Sequence, residues 1–157
     1  MSEQWQSLVS QKIYLARQLA TLAREQESAP DREACLQGAI ELALRARHTL
    51  LTLVARYHQQ KQATPQTLEA LTALIADAPD ADLLSELART PGSWWHHLDQ
   101  LAMSQSQPPK QQKSISDDNI IAVSVASGPD RSADGLLDSL AAMKSFVTDL
   151  GERHAEW

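Results

Sequence analysis

Residues 32–61 constrain the fold of this chain more than any other stretch. When they are placed on a helix, the polar side chains form one stripe and apolar side chains cover the rest of the circumference. The stripe consists of Glu41, Arg45, His48, Thr52, Arg56 and Gln59. Because so wide an apolar surface is unstable in water, several neighbours have to cover it. We therefore expect residues 32–61 to form the central helix of a bundle, about 45 Å long at 1.5 Å per residue.

Two other long helices are predicted to pack around the central one. Residues 4–28 carry apolar side chains at helical spacing on one face, and residues 132–155 carry a seam of large apolar side chains. The seam consists of Leu136, Leu140, Met143, Val147 and Leu150. We predict an all-α helical bundle of about three long and two or three short helices, with residues 1–157 forming a single domain.

Capping residues indicate where the remaining helices begin. Asp31 is expected to cap the central helix, and Asp80 a short one. Thr64 is expected to cap another short helix, with Pro65 at its first helical position. A third short helix is predicted over residues 92–105. These short helices are expected to cover the side or the end of the long ones.

The helical periodicity stops before the C-terminal helix. Residues 106–118 are polar and contain prolines, which predicts a mobile linker. Residues 119–127, "NIIAVSVAS", are rich in β-branched side chains and predict an extended segment. A lone strand has unpaired backbone groups, so it must stay near solvent, bond to side chains or pair with a second copy. A homodimer is one of the arrangements that this leaves open.

The stretch "PGSWWHHLDQL" resembles a binding site, since two tryptophans precede two histidines. On a helix, however, His96 and His97 point in different directions and cannot bind one metal ion together. We expect His96 to lie at the surface beside Asp99. The tryptophans are predicted to bury large apolar areas and to hold helices together. The predicted structural anchors are Trp5, Trp94 and Trp95.

No other sequence pattern indicates a catalytic, metal-binding or phosphate-binding site. His48, His58 and His154 have no acidic or histidine partner at the spacing of metal ligands on a helix. Cys35, the single cysteine, has no basic neighbour to stabilise a thiolate and is expected to be a small apolar core residue. There is no glycine-rich phosphate loop among the five glycines. We predict no catalytic residue, no metal ion and no cofactor.

Two basic residues stand out because they interrupt apolar stripes. Lys12 lies in the middle of the apolar face of the first helix, and Arg47 does the same on the second. A charge in such a place must reach water, pair with an acid, or bind an anion or a partner. We expect both side chains to point towards a helix interface, and at least one to meet a carboxylate. They are also the candidate residues for an anion or partner site.

The charge balance excludes one class of partner. The formal net charge is −6; residues 1–62 carry eight Lys and Arg against six Asp and Glu, and the remainder carries six against fourteen. An acidic chain without a basic cluster is a poor binder of nucleic acid. No signal peptide is recognised, and nothing approaches the roughly 18 apolar residues of a membrane span. With a single cysteine, a cytoplasmic address is expected and no membrane partner.

Several motifs occur in an order that suggests a family. "VSQKIYLARQLA" (9–20), an Ala- and Leu-rich helix, "PGSWW", "DDNIIAVS" and an amphipathic C-terminal helix follow one another. In this the chain resembles a family of short gammaproteobacterial proteins known only as a domain of unknown function. The resemblance implies a cytoplasmic, all-helical bacterial protein and transfers no activity.

The predicted function follows from the lack of catalytic motifs. The sequence favours a non-enzymatic protein-interaction or adaptor module with an unidentified protein partner. The alternative is a bundle that binds a small ligand or anion through Lys12 and Arg47. An enzyme ranks third.

Overall fold

The computed structural model describes residues 2–108 and 128–155, which form six α-helices. The helices are α1 (Ser2–Glu25), α2 (Ala29–Tyr57), α3 (Leu68–Leu74), α4 (Pro79–Arg89), α5 (Trp94–Ser106) and α6 (Ala133–Ala155). Three are long and three are short, so the predicted all-α bundle is confirmed. The predicted extended segment at 119–127 lies outside the described residues, as does all of the predicted linker beyond Pro108.

The long helix α2 lies at the centre, as its wide apolar surface predicts. It packs against α1, α3, α5 and α6, and α1 packs mainly against α2 and α6. Leucines and alanines make up most of the buried core. Large side chains with no exposed surface include Ile40, Leu50 and Leu53 of α2, Leu98 and Leu101 of α5, and Leu140, Met143 and Leu150 of α6. The seam predicted for the C-terminal helix is entirely buried.

A glycine allows α1 and α2 to approach closely. A Cβ atom at Gly38 would lie 3.1 Å from Leu19 Cδ1, which is too close for relaxed packing. Glycine in a helix costs roughly 1 kcal/mol relative to alanine. At Gly38 the absent side chain leaves room for the Leu19 side chain between the two helices.

The start of α2 differs from the expectation. Ser28, not Asp31, is the N-cap; its Oγ accepts a hydrogen bond of 3.4 Å from the Asp31 backbone N–H. Pro30 lies in the first turn, where a missing N–H costs nothing. The chain offers two capping side chains within four residues, and the one before the proline is used.

The starts of α3 and α4 also differ. Thr67 rather than Thr64 caps α3, because its Oγ1 accepts a hydrogen bond from the Ala70 N–H at 3.1 Å, and Pro65 is buried before the helix begins. Helix α4 begins at Pro79, so that Asp80 is its second residue and not its cap. The Asp80 side chain is instead used in contacts with other helices.

Candidate functional site

A polar cluster forms where three helix ends meet. Asp80 Oδ2 accepts hydrogen bonds from His58 Nε2 at 2.7 Å and from His154 Nε2 at 2.8 Å. Asp80 Oδ1 accepts one from Arg153 Nη2 at 2.9 Å. The Asp80 side chain is only 4% exposed. A carboxylate so deeply buried is stable only if its lone pairs are satisfied, and here three donors satisfy them.

The position of each residue on its helix favours its charge. Asp80 lies in the first turn of α4, where the helix dipole stabilises an anion. Arg153 and His154 lie in the last turn of α6, where it stabilises cations. His58 is the C-cap of α2, and the next residue, Gln59, has a positive φ of 64°.

The ring of His154 is held by its neighbours. Tyr57 stacks on it, with the ring centroids 4.5 Å apart and the planes 8° from parallel. The Tyr57 hydroxyl donates a long hydrogen bond of 3.5 Å to Gln6 Oε1. A Cβ atom at Gly151 would lie 2.9 Å from Gln6 Nε2. A larger residue at position 151 would therefore require the end of the Gln6 side chain, which contacts the stacked tyrosine, to move.

Two opposing effects set the pKa of Asp80. Burial alone would raise the pKa of this carboxyl, but the hydrogen bonds from His154, His58 and Arg153 lower it, and the net direction is downward. Asp80 is therefore a carboxylate at neutral pH. Because a carboxylate oxygen only accepts, each histidine must carry a proton on Nε2 in this arrangement.

Sequence spacing could not reveal this cluster. His58 and Asp80 are 22 residues apart, and Asp80 and His154 are 74 apart. Neither histidine has an acidic partner at ligand spacing along its own helix, and a search limited to that spacing misses Asp80, which lies on another helix. The sequence favours Asp80 as a helix cap, which is the usual role of an aspartate before an apolar run. The available signal was weaker: all three residues lie at helix ends, and such ends meet in a bundle.

Arg47 is bound within the protein. Its Nη1 donates hydrogen bonds to Asp99 Oδ1 at 2.6 Å and to the Trp95 carbonyl oxygen at 3.1 Å. Its guanidinium carbon lies 4.7 Å from the centre of the Trp95 ring. The sequence predicts Asp99 beside His96, whereas in the structure Asp99 pairs with Arg47. Arg47 joins α2 to α5.

Lys12 is placed differently. It is half-buried on α1, and no carboxylate within the described ranges lies within 4.0 Å of its amine. Arg47 points to α5, whereas α1 packs mainly on α2 and α6. The two basic residues therefore do not converge on one site. Arg47 and Asp99 line an open groove of about 320 Å³ beside His48.

These placements predict different effects of removing the two charges. Arg47→Met should lower the free energy of unfolding by about 1.5–3 kcal/mol, the range for hydrogen bonds to charged groups. Lys12→Met should change it by less than about 0.5 kcal/mol, as at an ordinary surface site. Urea unfolding of both variants measures the difference. If both variants lost the same free energy of unfolding, the conclusion that Arg47 joins α2 to α5 would be contradicted.

The three tryptophans differ in how deeply they are buried. Trp94 and Trp95 are both buried, with their rings edge to face at 5.6 Å, and Trp94 also packs at 5.8 Å from Phe146 of α6. Trp5 is half-buried against the core, with the Arg56 guanidinium 5.2 Å from its ring centre.

His97 serves a structural connection. Its Nδ1 lies 2.6 Å from Ser139 Oγ, and its Nε2 lies 2.7 Å from the Asp130 carbonyl oxygen. Since a carbonyl oxygen only accepts, Nε2 donates, and in the neutral ring Nδ1 accepts from the serine hydroxyl. His97 therefore joins α5 to α6 and to the segment before α6.

Comparison with known proteins defines the family. A family model described as "Family of unknown function (DUF6586)" matches residues 1–157. The chain belongs to the family DUF6586. The resemblance seen in the sequence to a family of unknown function is thus confirmed. No curated protein and no solved structure matches the chain.

This member of DUF6586 also carries an exposed leucine stripe on α1. Leu8, Leu15 and Leu22 are 37%, 39% and 43% exposed, and they follow one another at intervals of seven residues. Exposed glutamines alternate with them along the same flank. These are Gln4, Gln11 and Gln18. None of the six helices in the described ranges combines the length and apolarity that crossing a bilayer requires.

Proposed function

We propose that this protein is a non-enzymatic protein-interaction module that acts by self-association through the leucine stripe of α1. The observation that carries the proposal is the spacing of Leu8, Leu15 and Leu22, each more than a third exposed. Large apolar side chains that recur every seven residues form the seam along which helices pack side by side. The stripe runs beside the face that α1 already buries against α2.

The symmetry of the stripe favours a second copy as its partner. Leu8 and Leu22 lie seven residues on either side of Leu15. Two antiparallel copies of α1 with a twofold axis at Leu15 would therefore place Leu8 of each copy against Leu22 of the other. Such a self-complementary patch is the requirement for a twofold dimer.

The composition of the seam predicts a weak dimer. Glutamines occupy the positions between the leucines, and polar seam positions specify register at a cost in stability. Each copy also carries a net charge of −6, so association should strengthen as salt screens the repulsion. The alternative of an anion-binding bundle has less support, because the Arg47 guanidinium is already bound to Asp99 and Trp95.

Sedimentation over a range of protein concentrations tests the proposal. The parent should show a reversible monomer–dimer equilibrium, and Leu15→Glu should be monomeric, because two glutamates would meet at the axis. Leu83→Glu is the matched control: Leu83 is 44% exposed, but on α4. It should dimerise as the parent does, and circular dichroism should show all three proteins equally helical.

Two results would overturn self-association through α1. One is a parent that stays monomeric at every concentration, since the stripe then has no affinity for a second copy. The other is a Leu15→Glu variant that dimerises as strongly as the parent.

A further inference from the structure

Independently of self-association, we propose that His58, Asp80 and His154 form a binding site for a divalent transition-metal ion, with Zn²⁺ as the best match. Each residue offers one ligand atom, and the three atoms lie within 4.8 Å of one another. Two imidazole nitrogens and one carboxylate oxygen are a donor set that zinc uses when three protein ligands leave a fourth position for water.

The distances are close to those that an ion needs. Zinc–ligand bonds of about 2.0–2.2 Å in a tetrahedral site place the ligand atoms about 3.3–3.5 Å apart. The Asp80 oxygen lies 2.7 Å and 2.8 Å from the two Nε2 atoms, as hydrogen bonding requires. To make room for an ion, each Nε2 atom would have to retreat from Asp80 Oδ2 by roughly half an ångström to one ångström. The two Nε2 atoms, which lie within 4.8 Å of each other, would have to end at a similar separation.

The surroundings meet two further requirements of a metal site. The site is reachable, because the His58 and His154 side chains are 22% and 21% exposed. The ligands are also oriented by a second layer of contacts, which metal sites need. Tyr57 stacks on the His154 ring, and Arg153 binds the Asp80 oxygen that does not face the histidines.

Arg153 opposes the ion by its charge, and its position limits that effect. It contacts Oδ1, whereas both histidines contact Oδ2, so the oxygen that would bind the ion is free of arginine. The Arg153 side chain is 43% exposed, and solvent therefore screens much of its charge.

The Nε2 protons of His58 and His154 can be accounted for when an ion binds. In the metal-free protein each Nε2 uses its proton to bond to Asp80. On binding, the ion takes the place of these protons at Nε2, and each ring then carries one proton, on Nδ1. A neutral ring thus changes tautomer, and a protonated ring releases one proton. The bound ion would tie the ends of α2 and α6 to the start of α4.

Calorimetric titration of untagged, metal-free protein with Zn²⁺ tests the site. One ion should bind per chain, and binding should raise the melting temperature. His58→Gln and His154→Gln should each weaken binding by at least about tenfold, since even the outer contacts of metal sites are worth 10–100-fold. His96→Gln is the control and should bind as the parent does, because its ring is outside the cluster.

A second measurement avoids dependence on variants that lose stability. In the parent protein, Zn²⁺ should shift the side-chain nitrogen resonances of His58 and His154, while those of His48, His96 and His97 stay in place. The proposal is overturned if the parent binds no stoichiometric zinc. It is also overturned if zinc shifts other histidines instead, or if both glutamine variants bind with unchanged affinity. Sedimentation of Leu15→Glu reports separately on self-association.

Discussion

Trp94→Ala should lower the free energy of unfolding by about 3–5 kcal/mol, the range for removing a large aromatic side chain from a core. Trp94 is 6% exposed and lies between Trp95 of its own helix and Phe146 of α6. Alanine would remove the contact that α5 makes with α6 at this point, and the helices could close the cavity only in part. Urea unfolding followed by circular dichroism measures the loss.

Trp5→Ala is the matched control for this prediction. Trp5 is half-buried and contacts the core from one side only, so its removal should cost clearly less than the removal of Trp94. If Trp94→Ala lost less than about 1 kcal/mol, which is the scale of a surface substitution, Trp94 would not be a core anchor.

Asp80→Asn should cost about 3 kcal/mol, the lower end of the range for removing one member of a buried charge pair. The amide keeps one acceptor oxygen, but its NH₂ group cannot accept a hydrogen bond from the donors that it faces. The cost stays at the lower end because His58, Arg153 and His154 are all partly exposed and can turn to water. Urea unfolding at neutral pH measures the effect.

Asp82→Asn provides the comparison within the same helical turn. Asp82 also lies in the first turn of α4, where it feels the same helix dipole, but its side chain is exposed. Its replacement should cost less than about 1 kcal/mol. Equal losses for the two variants would show that the dipole, and not the cluster, accounts for the stability that Asp80 contributes.

The fold was largely predictable because helices are periodic. The seam from Leu136 to Leu150 and the wide apolar surface of α2 follow from side-chain spacing alone, and both are buried in the structure. Helix starts were less predictable. Where Ser28 and Asp31, or Thr64 and Thr67, compete within a few residues, local propensity does not decide which one forms the cap.

The contacts at the candidate sites were also hard to predict, because they depend on how the helices pack. That at least one of Lys12 and Arg47 would meet a carboxylate followed from their places on apolar stripes, but the pairing of Arg47 with Asp99 depended on how α5 packs. The cluster around Asp80 depends wholly on packing, since its residues come from α2, α4 and α6. Leu8, Leu15 and Leu22 can be read from the sequence, but their exposure is known only once α2 and α6 have taken the other faces of α1.

One buried carboxylate, Asp80, holds His58 and His154 by their Nε2 protons. Side-chain ¹⁵N NMR of the metal-free protein tests it most directly, because it shows which ring nitrogen carries a proton. We expect a proton on Nε2 of both rings, and ring nitrogen resonances of His58 and His154 that shift in Asp80→Asn while those of His48 do not. A ring of His58 or His154 with an unprotonated Nε2, or spectra that Asp80→Asn leaves unchanged, would contradict it.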